Sequence, residues 1–94
     1  MSWHCVERGH GRPLVLLHGI GMSHTAWMPV IDRLADHRRV LAFDIPGFGR
    51  TPPLTGQASL SRLLDGLRDS LAAHGIHEPV AIAGNSMGGW LTLA

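Results

Sequence analysis

The segment Gly84-Asn85-Ser86-Met87-Gly88 is the most informative part of the sequence, because it places a serine between two glycines in the pattern G-x-S-x-G. It ends an apolar run, 79–84, that is typical of a buried strand, and it precedes an apolar stretch that we interpret as the start of a helix. A serine at such a sharp strand-to-helix turn projects its hydroxyl clear of the sheet, and the flanking glycines let strand and helix close around it. We therefore predict Ser86 as a catalytic nucleophile, with Gly84 and Gly88 supporting its turn.

A second motif, His18-Gly19-Ile20-Gly21, directly follows the apolar run 14–17. Acyl transfer requires N–H donors aimed at the oxyanion of a tetrahedral intermediate. In a strand–turn–helix site of this kind, one donor is the residue after the nucleophile and another lies in the loop after an earlier strand. We predict the N–H groups of Met87 and Ile20 as this oxyanion hole. The histidine of the motif is expected to shape the loop backbone with its two glycines rather than to act as a base.

The rest of the chain alternates short apolar runs with amphipathic stretches. This alternation predicts an α/β fold, with a parallel sheet covered by helices on both faces, and no linker or repeat divides the chain. The predicted strands are an edge strand over 3–7 and buried strands over 14–17, 40–43 and 79–84. One helix is predicted from Thr25, with an apolar stripe at Trp27, Val30, Ile31 and Leu34. A second helix has a leucine stripe at 60, 63, 64, 67 and 71 and is ended by Gly75.

Three motifs in this order resemble the α/β-hydrolases: the His18 motif, then Asp44-x-Pro46-Gly47-Phe48-Gly49-Arg50, then 84–89. The resemblance implies a serine-dependent hydrolase that acts on an ester or other carbonyl substrate through an acyl-enzyme or tetrahedral intermediate. The 84–89 segment is similar to that of C–C hydrolases of ring-opening products, and the short N-terminus to that of carboxylesterases that release pimeloyl groups. The Asp44 loop is chiefly structural in this family; the alternative places Phe48 or Arg50 near the substrate.

The rest of the catalytic triad is expected outside this sequence. α/β-Hydrolases follow the chain order serine, acid, histidine, yet all seven histidines and every acidic residue precede Ser86. We therefore expect residues 1–94 to be the N-terminal part of a single, incomplete α/β-hydrolase domain that is inactive alone, with acid and base beyond Ala94. His74 or His77 with Glu78 are expected at the opposite end of the last strand, and His24 stays as an alternative base.

Two other functions remain open on the sequence. The same nucleophile turn serves acyltransferases, which differ in an acceptor pocket that these residues do not define. The chain is alternatively a non-catalytic or partner-dependent fragment of the fold.

Composition and charge exclude several classes of protein. The 94 residues are 45% hydrophobic and carry a formal net charge of +1, which is typical of a globular chain without a nucleic-acid-binding surface. No membrane span, signal peptide, metal-ligand spacing or dinucleotide fingerprint is present in the sequence. We expect a cytoplasmic protein without cofactor or metal, acting on a small molecule. Its lone cysteine, Cys5, is expected to be a half-buried apolar residue.

Overall fold

The computed structural model describes residues 2–19, 21–54, 56, 59–77 and 80–84, which form a four-stranded sheet with helices on both faces. The elements in chain order are β1 (Cys5–Arg8), β2 (Arg12–Leu17), a 3-10 helix (His24–Trp27), α1 (Met28–Ala35), β3 (Arg38–Phe43), α2 (Leu60–Ala73) and β4 (Ala81–Gly84). Every strand predicted from the sequence is present, with bounds that shift by a few residues. The expected helix after residue 89 lies outside the described residues.

The strand order is β1-β3-β2-β4, and β2 pairs in parallel with both β3 and β4. The predicted parallel arrangement therefore holds for three strands, whereas β1 runs antiparallel to β3. The connection from β1 to β2 explains the difference. Only residues 9–11 join the two strands, and a parallel return requires a crossover of a dozen or more residues. The sheet is mixed because its first connection is short.

Alternate side chains of β2 and β3 build two cores, one on each face of the sheet. One core takes Val15, Leu17, Leu41 and Phe43 and packs them against Trp3, Leu63 and Leu67. The other takes Leu16, Val40 and Ala42 and packs them against Ile31 of α1. The leucine stripe of α2 is thus core-facing, and the helices cover both faces as predicted.

The helix predicted from Thr25 is divided into two parts. The 3-10 helix comes first, and the Ser23 hydroxyl accepts a hydrogen bond from Thr25 N–H at its start. Pro29 then lies in the first turn of α1, where a missing N–H has no intrahelical partner to lose. Neither α1 nor α2, the α-helices of the described part of the chain, is long and apolar enough to span a membrane.

The C-terminus of α2 is closed by the predicted glycine. Gly75 has a φ of 76°, and its N–H donates to Ala72 O at 3.0 Å. The next N–H, of Ile76, donates to Leu71 O at 2.9 Å. This pair of bonds is a Schellman motif, which satisfies the last carbonyls of the helix.

The N-terminal segment is held against α2 at Gly66. Trp3 is only 4% exposed, and its main-chain N–H donates to the Ser70 hydroxyl at 2.8 Å. A Cβ at position 66 would lie 2.7 Å from Trp3 Nε1. Glycine weakens a helix interior by about 1 kcal/mol relative to alanine, but here it makes room for the indole ring.

Candidate active site

Three strands of the sheet end at the same level. Leu17, the last residue of β2, pairs with Phe43 of β3 on one side and with Gly84 of β4 on the other. The chain segments that follow these strands therefore begin side by side at the carboxyl edge, where open α/β sheets bind their ligands. Of the predicted site residues, the structure describes His18, Gly19, Gly21 and Gly84; Ser86, Ile20, Met87 and Gly88 lie outside the described residues.

His18 is fully buried directly after β2. Its Nε2 accepts a hydrogen bond from Ile45 N–H at 2.9 Å, and its Nδ1 lies 2.8 Å from Gly19 O. An acceptor at Nε2 requires the proton on Nδ1, so the ring is neutral and donates to the carbonyl. Both nitrogens are thus bound to the main chain, and neither is free to take a proton from a nucleophile.

The loop after His18 closes in a turn. Met22 N–H donates to Gly19 O at 3.1 Å, and Gly21 has a φ of 78°. A Cβ at Gly21 would meet nothing within 4 Å, so the glycine is required for its backbone conformation rather than for space.

A small cavity of about 80 Å³ lies beside this loop. It is lined by His18, Met22, Ala26 and Trp27. The indole N–H of Trp27 is buried and finds no hydrogen-bond partner among the described residues. An unpaired buried donor of this kind costs about 1–3 kcal/mol.

Asp44 follows β3 and is fully buried. Its carboxylate accepts hydrogen bonds from the main-chain N–H groups of His24 and Arg50, at 2.6 and 3.0 Å. Burial opposes ionisation of this carboxyl, but the N–H donors of Arg50 and His24 outweigh it and hold the pKa of Asp44 below its ordinary value. The Asp44 loop is therefore organised around an ionised carboxylate.

Two imidazoles also bind this carboxylate. His24 Nδ1 lies 2.9 and 3.0 Å from the two Asp44 oxygens, and His4 Nδ1 lies 3.0 Å from Oδ2. A carboxylate that orients an imidazole through Nδ1 is the acid–base pairing of serine hydrolases, so His24 keeps the chemistry of an alternative base. The meeting of His4 and His24 at Asp44 was not predictable from the sequence, because residues so far apart in the chain share no spacing.

Both ends of the segment 18–24 are hydrogen-bonded to the two consecutive residues that follow β3, Asp44 and Ile45. His18 binds Ile45 N–H at one end, and His24 binds the Asp44 carboxylate at the other. Phe48 of the following loop packs edge-to-face on the His18 ring, with the ring centroids 5.5 Å apart. The described residues of this segment, 18–19 and 21–24, are thus anchored at one end on a main-chain N–H group and at the other on a buried carboxylate.

The other two described histidines considered as bases, His74 and His77, precede β4, whereas Ser86 follows it in the sequence. His74 ends α2, and its Nδ1 is 3.2 Å from Glu7 Oε1. Arg39 Nε also donates to Glu7, at 2.8 Å; this hydrogen bond lowers the pKa of Glu7 and raises that of Arg39. His74 thus belongs to a surface network that joins β1, β3 and α2. His77 is described and exposed, and Glu78 lies outside the described residues.

Cys5 has none of the features of a reactive thiol. Burial is the main cause that raises the pKa of its thiol to about 12. A thiolate is the nucleophilic form, so Cys5 is unreactive near neutral pH.

A sequence profile of the alpha/beta hydrolase family matches residues 14–94. The chain belongs to the alpha/beta hydrolase family. The match includes the His18 loop, the Asp44 loop and the Ser86 motif, and the sheet with helices on both faces is the partial alpha/beta hydrolase fold that these motifs predicted.

Relatives of this alpha/beta hydrolase include hydrolases and esterases. The (E)-2-((N-methylformamido)methylene)succinate hydrolase of Acinetobacter baylyi is 38% identical over 89 residues, which are 95% of this chain and 34% of the relative. A pimeloyl-acyl-carrier-protein methyl ester esterase of Legionella pneumophila shares the same identity and coverage. A thermophilic esterase from Thermogutta terrifontis superposes with a TM-score of 0.87 and 30% identity, over 94% of this chain and 32% of that one. The chain spans about a third of the length of the curated relatives it matches.

Proposed function

We propose that this alpha/beta hydrolase is a serine-dependent hydrolase of an ester or other carbonyl substrate. Ser86 is the nucleophile, and the N–H groups of Ile20 and Met87 form the oxyanion hole. The base and acid come from the part of the domain that the longer relatives possess. Residues 1–94 thus supply the nucleophile and the N–H donors of the oxyanion hole, but neither the base nor the acid.

The observation that carries the proposal is the pairing of Leu17 with Gly84. Neighbouring strands lie about 4.8 Å apart, so β2 and β4 deliver their following segments to adjacent points. Ile20 is the third residue after Leu17, and Ser86 is the second after Gly84. This register supports a nucleophile and an oxyanion donor within reach of one carbonyl group.

The chemistry follows from this arrangement. The Ser86 oxygen attacks the carbonyl carbon while its proton passes to the base, and the oxyanion that forms accepts hydrogen bonds from the two N–H groups. The tetrahedral intermediate collapses to an acyl-enzyme and expels the alcohol, which takes the proton back. Water then repeats the sequence on the acyl-enzyme, and the acid is released.

His18 is assigned a positioning role in this proposal. Its neutral ring bridges Ile45 N–H and Gly19 O, so it fixes the carbonyl that precedes the proposed donor Ile20. The Asp44 carboxylate anchors the far end of the same segment through His24. A loop held at both ends keeps its N–H groups directed without reorganisation during the reaction, which is the property that electrostatic catalysis needs.

The relatives support a small carboxylic ester as the substrate class, since one is named as a methyl ester esterase and another as a hydrolase of a succinate derivative. The cavity lined by His18, Met22, Ala26 and Trp27 lies beside the loop and provides a place for part of the substrate. The cytoplasmic location and the choice of hydrolysis over acyl transfer stay predictions.

Replacing Ser86 tests the proposal. We expect Ser86→Ala, in the protein as its gene encodes it, to lower turnover of a short-chain aryl ester by at least about 10⁴-fold, because only the oxyanion hole and binding remain. The matched control is Ser61→Ala on the exposed side of α2, which should turn over at the parent rate. Circular dichroism and thermal unfolding establish that both variants are folded. Parent-like turnover by Ser86→Ala would remove the serine mechanism.

A further inference from the structure

The side chains of His4, His24 and Asp44 meet at the carboxyl edge of the sheet, although they come from three separate segments. Each offers one ligand atom, and the three atoms all lie within 4.8 Å of one another. Two imidazole nitrogens and one carboxylate oxygen are a donor set suited to Zn²⁺ and related divalent transition metals. We propose that these three side chains form a binding site for such an ion.

The distances within the cluster are close to those that an ion requires. His4 Nδ1 and His24 Nδ1 each lie 3.0 Å from the same carboxylate oxygen, Asp44 Oδ2. Zinc–ligand bonds of about 2.0–2.2 Å place tetrahedral ligand atoms roughly 3.3–3.5 Å apart. Each nitrogen–oxygen pair therefore has to open by only about 0.5 Å.

The two rings have room for this adjustment. The His4 side chain is 28% exposed and that of His24 is 16% exposed, whereas Asp44 is fully buried. The carboxylate is the fixed ligand, held by the N–H groups of Arg50 and His24, and the imidazoles rotate against it. Because both rings reach the surface, solvent can supply a fourth ligand.

Protons balance when the ion binds. In the hydrogen-bonded form, each Nδ1–H donates to the carboxylate. In the metal-bound form, the Nδ1 lone pair binds the ion and the ring proton lies on Nε2, so a neutral imidazole changes tautomer and releases no proton. The main-chain N–H groups of His24 and Arg50 keep their hydrogen bonds to the Asp44 carboxylate and orient it without binding the ion.

The ion would join three parts of the fold. His4 belongs to the segment before β1, His24 starts the 3-10 helix, and Asp44 follows β3. All three are close in space only in the folded chain, so binding favours the folded state and raises the melting temperature.

Metal titration tests the site. The gene-encoded protein, stripped with a chelator, is titrated with Zn²⁺ by calorimetry and with Co²⁺ by visible absorption. We expect uptake of one equivalent, a rise in melting temperature, and the d–d absorption of a nitrogen- and oxygen-ligated cobalt ion. His4→Ala and His24→Ala should each weaken binding by at least about tenfold, while His37→Ala, on an exposed turn, should bind as the parent does.

Thermal unfolding in the presence of chelator establishes whether each variant is folded. Selective broadening of the His4 and His24 ring resonances by substoichiometric Co²⁺ reports on the same site without any substitution. Absence of uptake would mean that the two rings serve only as hydrogen-bond donors and would overturn the proposal, as would binding that neither variant weakens. Ser86→Ala should bind the ion like the parent, so the result is independent of the proposed reaction.

Discussion

The backbone of Gly49 lies against the Asp44 carboxylate. It has a φ of 52°, and a Cβ at this position would lie 2.4 Å from the Asp44 carboxyl carbon. Gly75 has a similar left-handed backbone, with a φ of 76°, but a Cβ there would meet nothing within 4 Å. An alanine at position 75 therefore strains only the backbone, whereas an alanine at position 49 also collides with the Asp44 carboxyl group.

We predict that Gly49→Ala lowers the free energy of unfolding more than Gly75→Ala does. Gly75→Ala should cost about 1–2 kcal/mol, the strain of a left-handed alanine. Gly49→Ala should cost a further 1–3 kcal/mol or so, because the methyl group displaces a buried carboxylate. Urea unfolding of the two variants measures both values. Equal losses would show that the Asp44 loop moves aside freely.

At the scale of elements, helix α2 and the N-terminal segment constrain each other at one position. The helix sequence alone favours alanine at position 66, whereas the packed Trp3 ring occupies the space a methyl group would need. Trp3 also contacts Phe43 edge-to-face, with ring centroids 6.3 Å apart. The indole cannot retreat without disturbing the core on this face of the sheet.

We predict that Gly66→Ala destabilises the protein, by up to about 2 kcal/mol, although alanine gains about 1 kcal/mol in helix propensity. In a Trp3→Phe background the smaller ring leaves space, and the same substitution should be neutral or stabilising. Thermal unfolding of the parent, the two single variants and the double variant gives the coupling free energy. A coupling near zero would exclude contact with Trp3 as the reason for the glycine.

At the scale of the whole molecule, the Asp44 carboxylate makes stability depend on pH. Its pKa is lowered in the folded chain, so the stabilisation is fully present above the ordinary carboxyl pKa of about 3.9 and is lost as pH falls through the lower, folded value. The contribution is a property of the fold, because one of the groups that lower the pKa, His24, comes from a distant segment.

We predict that Asp44→Asn is less stable than the parent at pH 5 by about 1.5–3 kcal/mol, and that this difference shrinks as pH falls toward 3. Urea unfolding across this pH range measures it. The control is Asp32→Asn on the exposed side of α1, whose stability should follow that of the parent. A constant difference between Asp44→Asn and the parent would contradict the lowered pKa.

The sequence was sufficient to predict the elements and the family, because apolar periodicity and the glycine motifs are local signals. It also predicted the buried parallel strands that precede the His18 and Ser86 motifs, and these strands end together at one edge of the sheet. It did not predict the antiparallel β1, although the short connection between β1 and β2 accounts for that direction. Nor did it predict that His4 and His24 converge on Asp44. That convergence arises from contacts between segments that share no spacing in the chain.

The pairing of β2 with β4 also has a consequence for the order of events during synthesis. β2 ends at Leu17 and β4 starts at Ala81, so one edge of β2 has no partner until some 63 further residues have been made. At about 5–20 residues per second, that edge waits for roughly 3–13 s. β3 arrives sooner and fills the other edge. The growing chain thus presents an apolar strand with free N–H and C=O groups during this interval, and a nascent-chain chaperone would have that time in which to bind it.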